Sequence, residues 1–363
     1  MNKKFKVINS LTSLRFFAAL GVLLHHFGLL GNSSLPPVQF AAKYFFNGYT
    51  GVTFFYILSG FIINYSFKKH EAAGVFGYKD FLFFRVARLY PVHILCLILF
   101  MALFGVFTNI SNVPALPLLS NALLVHAFIP INEYYFSFNT VSWSISCELF
   151  FYVVFCFVVK LKTKYIILLL LSILLTNTYF IISPLNHINS HWFFYINPIF
   201  RFSDFLIGVL LCRFYLSSSF LLTKKSGTIL EVISLSLLFF TFYIASNFIS
   251  DMNIKYDILF IPCMSLVVFS FSYGAGYISG LLSNKILILL GEASFSLYML
   301  HYMVIAKVTE LMSPNENDYY DIFAYAITSL TISVFLSIIC YKYYEKPINK
   351  FLRNAWIKRY YGS

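Results

Sequence analysis

The sequence predicts an all-α, polytopic integral membrane protein, and three observations lead to this prediction. Of its 363 residues, 60% are hydrophobic and only 11% are charged, against about 25% charged residues in an average soluble domain. The mean hydropathy is +0.78. Apolar runs near the length needed to cross a bilayer, about 17 to 25 residues, recur along the whole chain. A soluble globular protein, a disordered chain and a fibrous repeat are therefore excluded.

These apolar runs predict about ten transmembrane helices. Their approximate spans are 12–30, 50–67, 86–107, 143–160, 164–183, 196–214, 228–248, 257–279, 286–307 and 322–342. The first run is expected to stay as a membrane helix, because it contains Arg15 and a His pair and no small-residue cleavage site follows it.

The basic residues predict the orientation. Most of the 26 Lys and Arg residues fall in alternate connections, and positive loops stay on the cytoplasmic side of a membrane. An N-in, C-in chain is therefore expected, and the net charge of +12 indicates topology rather than a nucleic-acid partner. The segments placed inside are Lys3, Lys4 and Lys6, then 68–88, 160–164, 213–225, Lys285 and 342–359. The long outer connection at 108–142 is expected to be re-entrant or interfacial.

Charged and titratable side chains inside the first helix are candidates for chemistry, because each costs about 2.5–3.5 kcal/mol on insertion scales. At about 100° per residue, His26 lies within about 20° of Arg15 around the helix, whereas His25 lies about 80° away. The two residues on one face are roughly 16 Å apart along the axis. One interpretation is a headgroup-bound Arg15 with His side chains bonded to neighbouring helices. The other is a tunnel in which His26 is a general base.

The third and fourth helices contain two further arrays. Arg85 and Arg88 share one face at i, i+3, which fits either headgroup anchoring or a phosphate site, since paired guanidinium groups bind phosphate oxygens. Ser144, Glu148 and Tyr152 share a stripe at i, i+4, i+8. This stripe fits either a base-orienting or substrate-holding array or a structural hydrogen bond between helices. Trp143, Tyr298 and His301 are further candidates, with Trp143 either a belt residue or a stacking platform for a sugar.

Other motifs are expected to be structural. Ser59 and Gly60 favour close helix packing, and Arg201 and Asp204 are expected to form an i, i+3 ion pair. The last helix is expected to end shortly before Pro347, which blocks its continuation. The six cysteines have no metal-binding spacing, so no metal site is predicted.

Seven motifs in order resemble the membrane acyltransferase type 3 family, bacterial proteins that acylate sugars of O-antigens, capsules and exopolysaccharides. The motifs are "LTSLRFFAALGVLLHH", "GVTFFYILSGFII", "FRVARLYP", "WSISCELFFY", "RFSDFLIG", "SFSLYMLH" and "YYEKP". They span nearly the whole chain. Departures from the family pattern are Thr12 in place of a frequent Asp, Phe16 in place of a small residue, and His25 in place of an aromatic.

The resemblance implies one transmembrane acyltransferase domain over residues 1–363, without a fused extracellular esterase-like domain, in the bacterial inner (plasma) membrane. Its reaction would move an acyl group, most often acetyl, from cytoplasmic acyl-CoA to a sugar hydroxyl of a surface polysaccharide or glycolipid. Acyl-CoA is then a donor substrate, and no bound cofactor is expected.

The resemblance also implies roles for the candidate residues. His26 would be the general base and Glu148 its orienting or charge-stabilising partner. Arg15, Arg85 and Arg88 would bind the nucleotide end of CoA. Contacts to the acceptor or to the catalytic groups are expected from Ser144, Trp143, Tyr152, Tyr298 and His301. Direct attack on the thioester and a covalent acyl-enzyme are both open.

Two other function classes remain as alternatives. A ten-helix secondary transporter or flippase would use intramembrane His, Arg and Glu as substrate or proton sites, although no internal repeat is evident in the sequence. The second alternative is a scaffold subunit, in which these His, Arg and Glu residues would take part in no reaction or transport.

Overall fold

The computed structural model describes residues 5, 7–45, 47–73, 77–106, 113–184 and 187–362, and every regular element in these ranges is helical. The all-α prediction is confirmed. Lys3, Lys4 and Lys6 of the orientation prediction, and residues 108–112 of the predicted outer segment, lie outside the described residues.

The α-helices are α1 (Asn9–His25), α2 (Gly28–Gly31), α3 (Pro36–Phe45), α4 (Gly51–Ala73), α5 (Tyr78–Leu103), α6 (Ala115–Ala122), α7 (Asn132–Tyr135), α8 (Trp143–Val158), α9 (Thr163–Ile182), α10 (Pro198–Ser217), α11 (Lys224–Asn247), α12 (Met252–Tyr256), α13 (Ile261–Ser272), α14 (Tyr277–Leu282), α15 (Lys285–Glu292), α16 (Ser294–Met312), α17 (Tyr319–Cys340) and α18 (Lys346–Tyr361). Short 3₁₀ turns lie at Gly48–Thr50, His126–Phe128 and Thr140–Ser142, and π-helical turns at Trp192–Ile196 and Tyr341–Glu345.

Within the described ranges, seven helical stretches are long and apolar enough to cross a bilayer, and the bent pair α15–α16 would make an eighth. The stretches are Pro36–Ala72, Tyr78–Leu103, Thr140–Val158, Thr163–Ile182, Lys224–Asn247, Met252–Ser272 and Tyr319–Tyr361. The predicted count of ten is not confirmed. One reason is that α1 has only 17 residues; another is that α10 contains Arg201, Asp204 and Arg213. The chain is a multi-pass membrane protein, and its N-in, C-in orientation stays a prediction.

Two predicted helix ends are wrong. The first helix ends at His25 rather than near residue 30, and α2 begins only at Gly28, in a stretch where glycine weakens helix formation. His26 is the turn residue that directly follows α1, so the angular relation between Arg15 and His26 stays a prediction. At the other end of the chain, Pro347 lies in the first turn of α18, where proline is tolerated because its missing N–H would have no partner in the helix.

The helices pack into two compact units. The first comprises residues 1–25, 40–75 and 157–292, and the second comprises residues 26–39, 76–156 and 293–363.

In the first unit, α4 packs against α10 with the two backbones in close contact. A Cβ atom at Gly60 would overlap the carbonyl oxygen of Phe205, and one at Gly208 would overlap that of Ile57. The packing role predicted for Gly60 is confirmed, and Gly208 is its partner. Around this contact, a buried core includes Phe61, together with α13 side chains such as Phe271.

The N-terminal parts of α4 and α10 share a buried ion-pair network. Arg201 pairs with Asp204 at 2.9 Å, as predicted, and also with Asp257 at 2.7 Å. It donates a further hydrogen bond to Thr53 of α4 at 2.9 Å. Its guanidinium group also lies over the ring of Tyr56. The Arg201 side chain is fully buried, so two carboxyl groups, a hydroxyl and a ring replace its hydration.

In the second unit, α18 docks on α5 through Asp80. This carboxylate accepts hydrogen bonds from Trp356 Nε1 at 2.7 Å and Tyr361 Oη at 2.6 Å. The Trp356 ring also stacks on Phe83 with ring centroids 4.0 Å apart. The C-terminal helix is therefore held on the first turns of α5, where the predicted arginine pair lies.

We expect Gly60→Val to lower the unfolding midpoint temperature of the purified protein. The new side chain meets the α10 backbone, which cannot rotate away, and overpacking of this kind costs about 1–3 kcal/mol. The measurement is a thermal scan in detergent followed by tryptophan fluorescence. Gly280→Ala is the matched control, because no atom lies within 4 Å of a Cβ built there. An equal loss of stability in both variants would contradict the packing role of Gly60.

Candidate active site

Two histidines from distant parts of the chain meet in the second unit. His26 follows the end of α1 and His301 lies on α16. The His26 Nδ1 atom and the His301 Nε2 atom are 3.1 Å apart, which is hydrogen-bond distance. His301 is fully buried, whereas His26 is half-buried, so only His26 has a surface that a substrate can reach.

Backbone carbonyl groups decide which nitrogen of each ring bears the proton. The His301 Nδ1 atom lies 2.7 Å from the Tyr298 carbonyl oxygen and 3.2 Å from that of Leu297. A carbonyl oxygen only accepts, so His301 Nδ1 is the donor, and Nε2 of the neutral ring is an acceptor. His26 then donates from Nδ1 to His301. This assignment leaves the lone pair of His26 on Nε2, as a general base requires.

A hydroxyl pair joins this part of α16 to the start of α8. Ser144 Oγ and Tyr298 Oη are 2.8 Å apart, and both lie within hydrogen-bond distance of the Val141 carbonyl oxygen. Tyr298 is also the residue whose carbonyl oxygen fixes the His301 ring. Ser144 and the histidine pair are therefore connected through one turn of α16.

A cationic cluster lies farther along α8. Tyr152 donates a hydrogen bond to Glu148 Oε2 at 2.7 Å. Arg85 of α5 interacts electrostatically with both of these side chains, and also with Arg88 and Arg353. From Ser144 to Tyr152 the rise of the helix is roughly 12 Å, at about 1.5 Å per residue. One helix thus connects the hydroxyl pair with a group of three guanidinium side chains.

Comparison with known proteins identifies the family. A family model described as an acyltransferase domain matches residues 8–342. The chain belongs to this acyltransferase family. No solved structure matches the chain significantly.

Several curated proteins are similar to this chain over most of its length. The acyltransferase MdmB of Streptomyces mycarofaciens is 26% identical over 329 residues, which cover 84% of this chain and 80% of that protein. A provisionally named O-acetyltransferase of Staphylococcus aureus strain COL is 24% identical, over 96% of this chain and 58% of its own length. The O-acetyltransferase OatA of Staphylococcus aureus strain NCTC 8325 is also 24% identical, over 95% and 58%. The chain therefore spans less than two thirds of the staphylococcal relatives.

The structure places eight of the ten predicted site residues of the acyltransferase in three groups. His26 and His301 form the histidine pair, Ser144 and Tyr298 the hydroxyl pair, and Arg85, Arg88, Glu148 and Tyr152 the cationic cluster. Arg15 is a half-buried residue of α1, in the first unit. Trp143 is 4% exposed, so its ring is buried rather than presented as an open platform. Their roles in the reaction stay predictions.

Two features of the site escaped the sequence prediction. The orienting partner of His26 was expected to be Glu148, and the structure places His301 on its Nδ1 atom. Arg353 was assigned only to a basic inner tail, and the structure adds it to the cluster. The sequence contains a weak signal for each residue. His301 is the last residue of the motif "SFSLYMLH", and Arg353 lies in the basic segment 342–359.

Buried polar side chains hold the segment that leads into α8. Asn121 donates from Nδ2 to the Ser137 carbonyl oxygen at 2.9 Å. The backbone carbonyl oxygen of Asn121 accepts a hydrogen bond from His93 Nε2 at 2.9 Å. His126 Nε2 and Ser142 Oγ are 3.2 Å apart. Burial lowers the pKa of His126 to about 3, and the nearby His93 imidazole adds to the shift. His126 is therefore neutral in the folded chain at any pH near neutrality.

We expect the folded acyltransferase to lose stability as the pH falls below about 6.5, the pKa of an unfolded histidine. The unfolded chain then binds a proton at residue 126 that the folded chain excludes down to about pH 3. The slope from this group is about 1.4 kcal/mol per pH unit. Unfolding midpoints of wild type and His126→Gln between pH 7.5 and 5 are the measurement, with the exposed His187→Gln as control. Parallel curves for wild type and His126→Gln would contradict this assignment.

Proposed function

We propose that this membrane acyltransferase transfers an acyl group, most simply acetyl, from cytoplasmic acyl-CoA to a sugar hydroxyl of a cell-surface polysaccharide or glycolipid. The observation that carries the proposal is the His26–His301 pair, whose hydrogen bonds leave His26 with an accepting Nε2. Acyl transfer to a hydroxyl needs such a base, because the hydroxyl must lose its proton as it attacks. The O-acetyltransferase names of the staphylococcal relatives support a hydroxyl acceptor.

The cationic cluster supports an anionic donor. Arg85, Arg88 and Arg353 lie within electrostatic range of one another, and the carboxylate that interacts with Arg85 is Glu148. Three positive charges near one another repel, and the Glu148 carboxylate offsets only part of this repulsion. A bound anion would offset more of it. The phosphates of CoA supply this negative charge, and guanidinium groups bind them through paired hydrogen bonds.

The position of α8 supports the path of the acyl group. The cluster includes Tyr152, and the hydroxyl pair of Ser144 and Tyr298 lies at the N-terminal end of the same helix. Tyr298 is also the residue whose backbone carbonyl oxygen accepts the hydrogen bond from His301. With its phosphates on the arginines, an extended pantetheine arm along α8 would carry the thioester toward His26. The donor would then reach the base without leaving the second unit.

In the proposed reaction, the acceptor oxygen attacks the thioester carbon while His26 Nε2 takes the hydroxyl proton. The carbon–oxygen bond forms, the carbon–sulfur bond breaks, and CoA leaves as a thiolate that takes a proton. A direct transfer and an acyl-enzyme both use the same base. Trapping of an acyl-protein adduct by rapid quench without acceptor would favour the second route.

We expect His26→Ala to lower the rate of acetyl-CoA consumption by about 10² to 10⁴-fold, the usual contribution of general base catalysis. His301→Leu should lower kcat similarly with little change in KM for acetyl-CoA, because it removes the acceptor that orients His26. His301→Gln should recover part of kcat, since its amide oxygen can accept the same hydrogen bond. The measurement is thiol release from acetyl-CoA by purified protein in nanodiscs.

His25→Gln is the matched control for these variants. His25 is exposed, and its ring contacts Tyr49 in the first unit, so its loss should leave thiol release unchanged. Surface polysaccharide from cells with each variant, analysed by mass spectrometry, identifies the acyl group and the acceptor. Intact acetyl-CoA with the wild-type protein and its acceptor would overturn the acyltransfer proposal and favour transport.

We expect Arg353→Ala to raise KM for acetyl-CoA about tenfold with little change in kcat. A charged hydrogen bond contributes about 1.5–3 kcal/mol. A rise in KM with unchanged kcat indicates that the lost interaction stabilised the ground state and the transition state equally. Lys350→Ala is the control, because it removes the same charge from an exposed position of α18. An equal rise in KM for both variants would contradict a specific role for Arg353.

A further inference from the structure

A second cationic site lies in the first unit, at the C-terminal ends of α4 and α10. It is a pocket of about 520 Å³, and its far wall is the chain from Val159 to Thr163 that leads into α9. The cationic side chains that line it are Lys68, Lys160, Lys162 and Arg213. All four belong to segments whose basic residues predict a cytoplasmic location.

A buried amide faces this pocket. Asn64 lines it and is 0% exposed. Neither atom of the Asn64 amide has a hydrogen bond within the usual distance and angle among the described residues. The Cys212 thiol interacts with this amide, but a thiol is a weak hydrogen-bond partner. Burial of an unsatisfied amide is unfavourable. An acceptor oxygen bound in the pocket would satisfy the Nδ2 donor.

The far wall is built in a way that favours an anion. Arg213 donates hydrogen bonds to the carbonyl oxygens of Leu161 at 2.8 Å and Val159 at 3.1 Å, which fixes this turn. The 20-residue helix α9 begins here, and Lys162 at its N-cap makes no side-chain hydrogen bond to the first turn. The first N–H groups of a helix lack partners within it and carry its positive dipole end. Such an end attracts phosphate.

One acidic side chain, Glu71, pairs with a cationic residue of this pocket. Glu71 pairs with Lys68 at 2.6 Å, but the two side chains are 36% and 52% exposed, and such surface pairs are weak. Lys160, Lys162 and Arg213 are the other cationic side chains of the pocket lining.

We propose that this pocket binds the phosphate group of an anionic ligand. The ligand phosphate lies between Lys160 and Lys162 at the start of α9 and accepts a hydrogen bond from Asn64 Nδ2. Two sources carry this chemistry, an anionic phospholipid headgroup and a soluble nucleotide. The site belongs to the first unit, and its residues differ from those of the Arg85, Arg88 and Arg353 cluster, so it does not depend on the acyltransfer proposal.

The test is native mass spectrometry of the delipidated full-length protein with three probes. These are phosphatidylglycerol, phosphatidylcholine as the headgroup without net charge, and adenosine 3′,5′-bisphosphate. Wild type is expected to bind phosphatidylglycerol if the source is a lipid, or the bisphosphate if it is a nucleotide, and phosphatidylcholine more weakly than either.

Two variants locate the binding. Lys160→Ser with Lys162→Ser should weaken it about tenfold or more, the effect of one charge-assisted hydrogen bond. Asn64→Asp, which keeps the shape but replaces the donor with a negative charge, should weaken it likewise. Lys224→Ser with Lys225→Ser is the control, because it removes the same charge from the start of α11, outside the pocket.

Each result of these measurements either supports or overturns the proposed phosphate site. Loss of binding in the lysine variant but not in the control supports the site, and the probe that binds names the source. The lysine variant alone is sufficient if Asn64→Asp does not fold. No binding of either anionic probe to wild type overturns the proposal, as does equal binding to the lysine variant and the control.

Discussion

The backbone contact between α4 and α10 is the constraint on which the first unit depends. Gly60 and Gly208 let the two helices approach until carbonyl oxygens lie where side chains would be. Seven residues before each glycine, Thr53 and Arg201 meet in the buried ion-pair network. Beyond the glycines, Asn64 and Arg213 reach the cationic pocket. A larger residue at the crossing would therefore disturb both ends, since rigid helices transmit a displacement at one point along their length.

Buried and half-buried charges in this chain fall into two kinds. Arg201 meets two carboxyl groups, so its charge is balanced inside the protein, and a structural role is sufficient. The cluster around Arg85 places three guanidinium groups with the single carboxylate of Glu148. An imbalance of this sense is costly in an apolar medium. The imbalance, rather than the presence of arginine, is what distinguishes the proposed CoA-binding cluster from the structural one.

The sequence predicted features that depend on a single helix, and it did not predict contacts between residues far apart in the chain. Spacing predicted the Arg201–Asp204 pair, the shared face of Arg85 and Arg88, and the packing role of Gly60, because each depends on one helix. It failed where a helix ends, since α1 ends at His25, and where a proline begins a helix, at residue 347. His301 was among the predicted candidates, but neither its contact with His26 nor the place of Arg353 in the cluster was predicted. Contacts between residues separated by hundreds of positions leave no periodic signal in one sequence.

The histidine pair differs physically from a triad that ends in a carboxylate. In a triad the carboxylate orients the base and also stabilises the imidazolium that forms. Here the orienting partner is a neutral ring held by the Tyr298 carbonyl oxygen, which supplies a dipole but no charge. The hydrogen bond from His26 to His301 orients the His26 ring, but a neutral partner stabilises the protonated form of His26 less than a carboxylate would. In the proposed reaction, the proton taken from the acceptor must therefore pass early to the departing thiolate, so that proton transfer and cleavage of the carbon–sulfur bond are closely coupled.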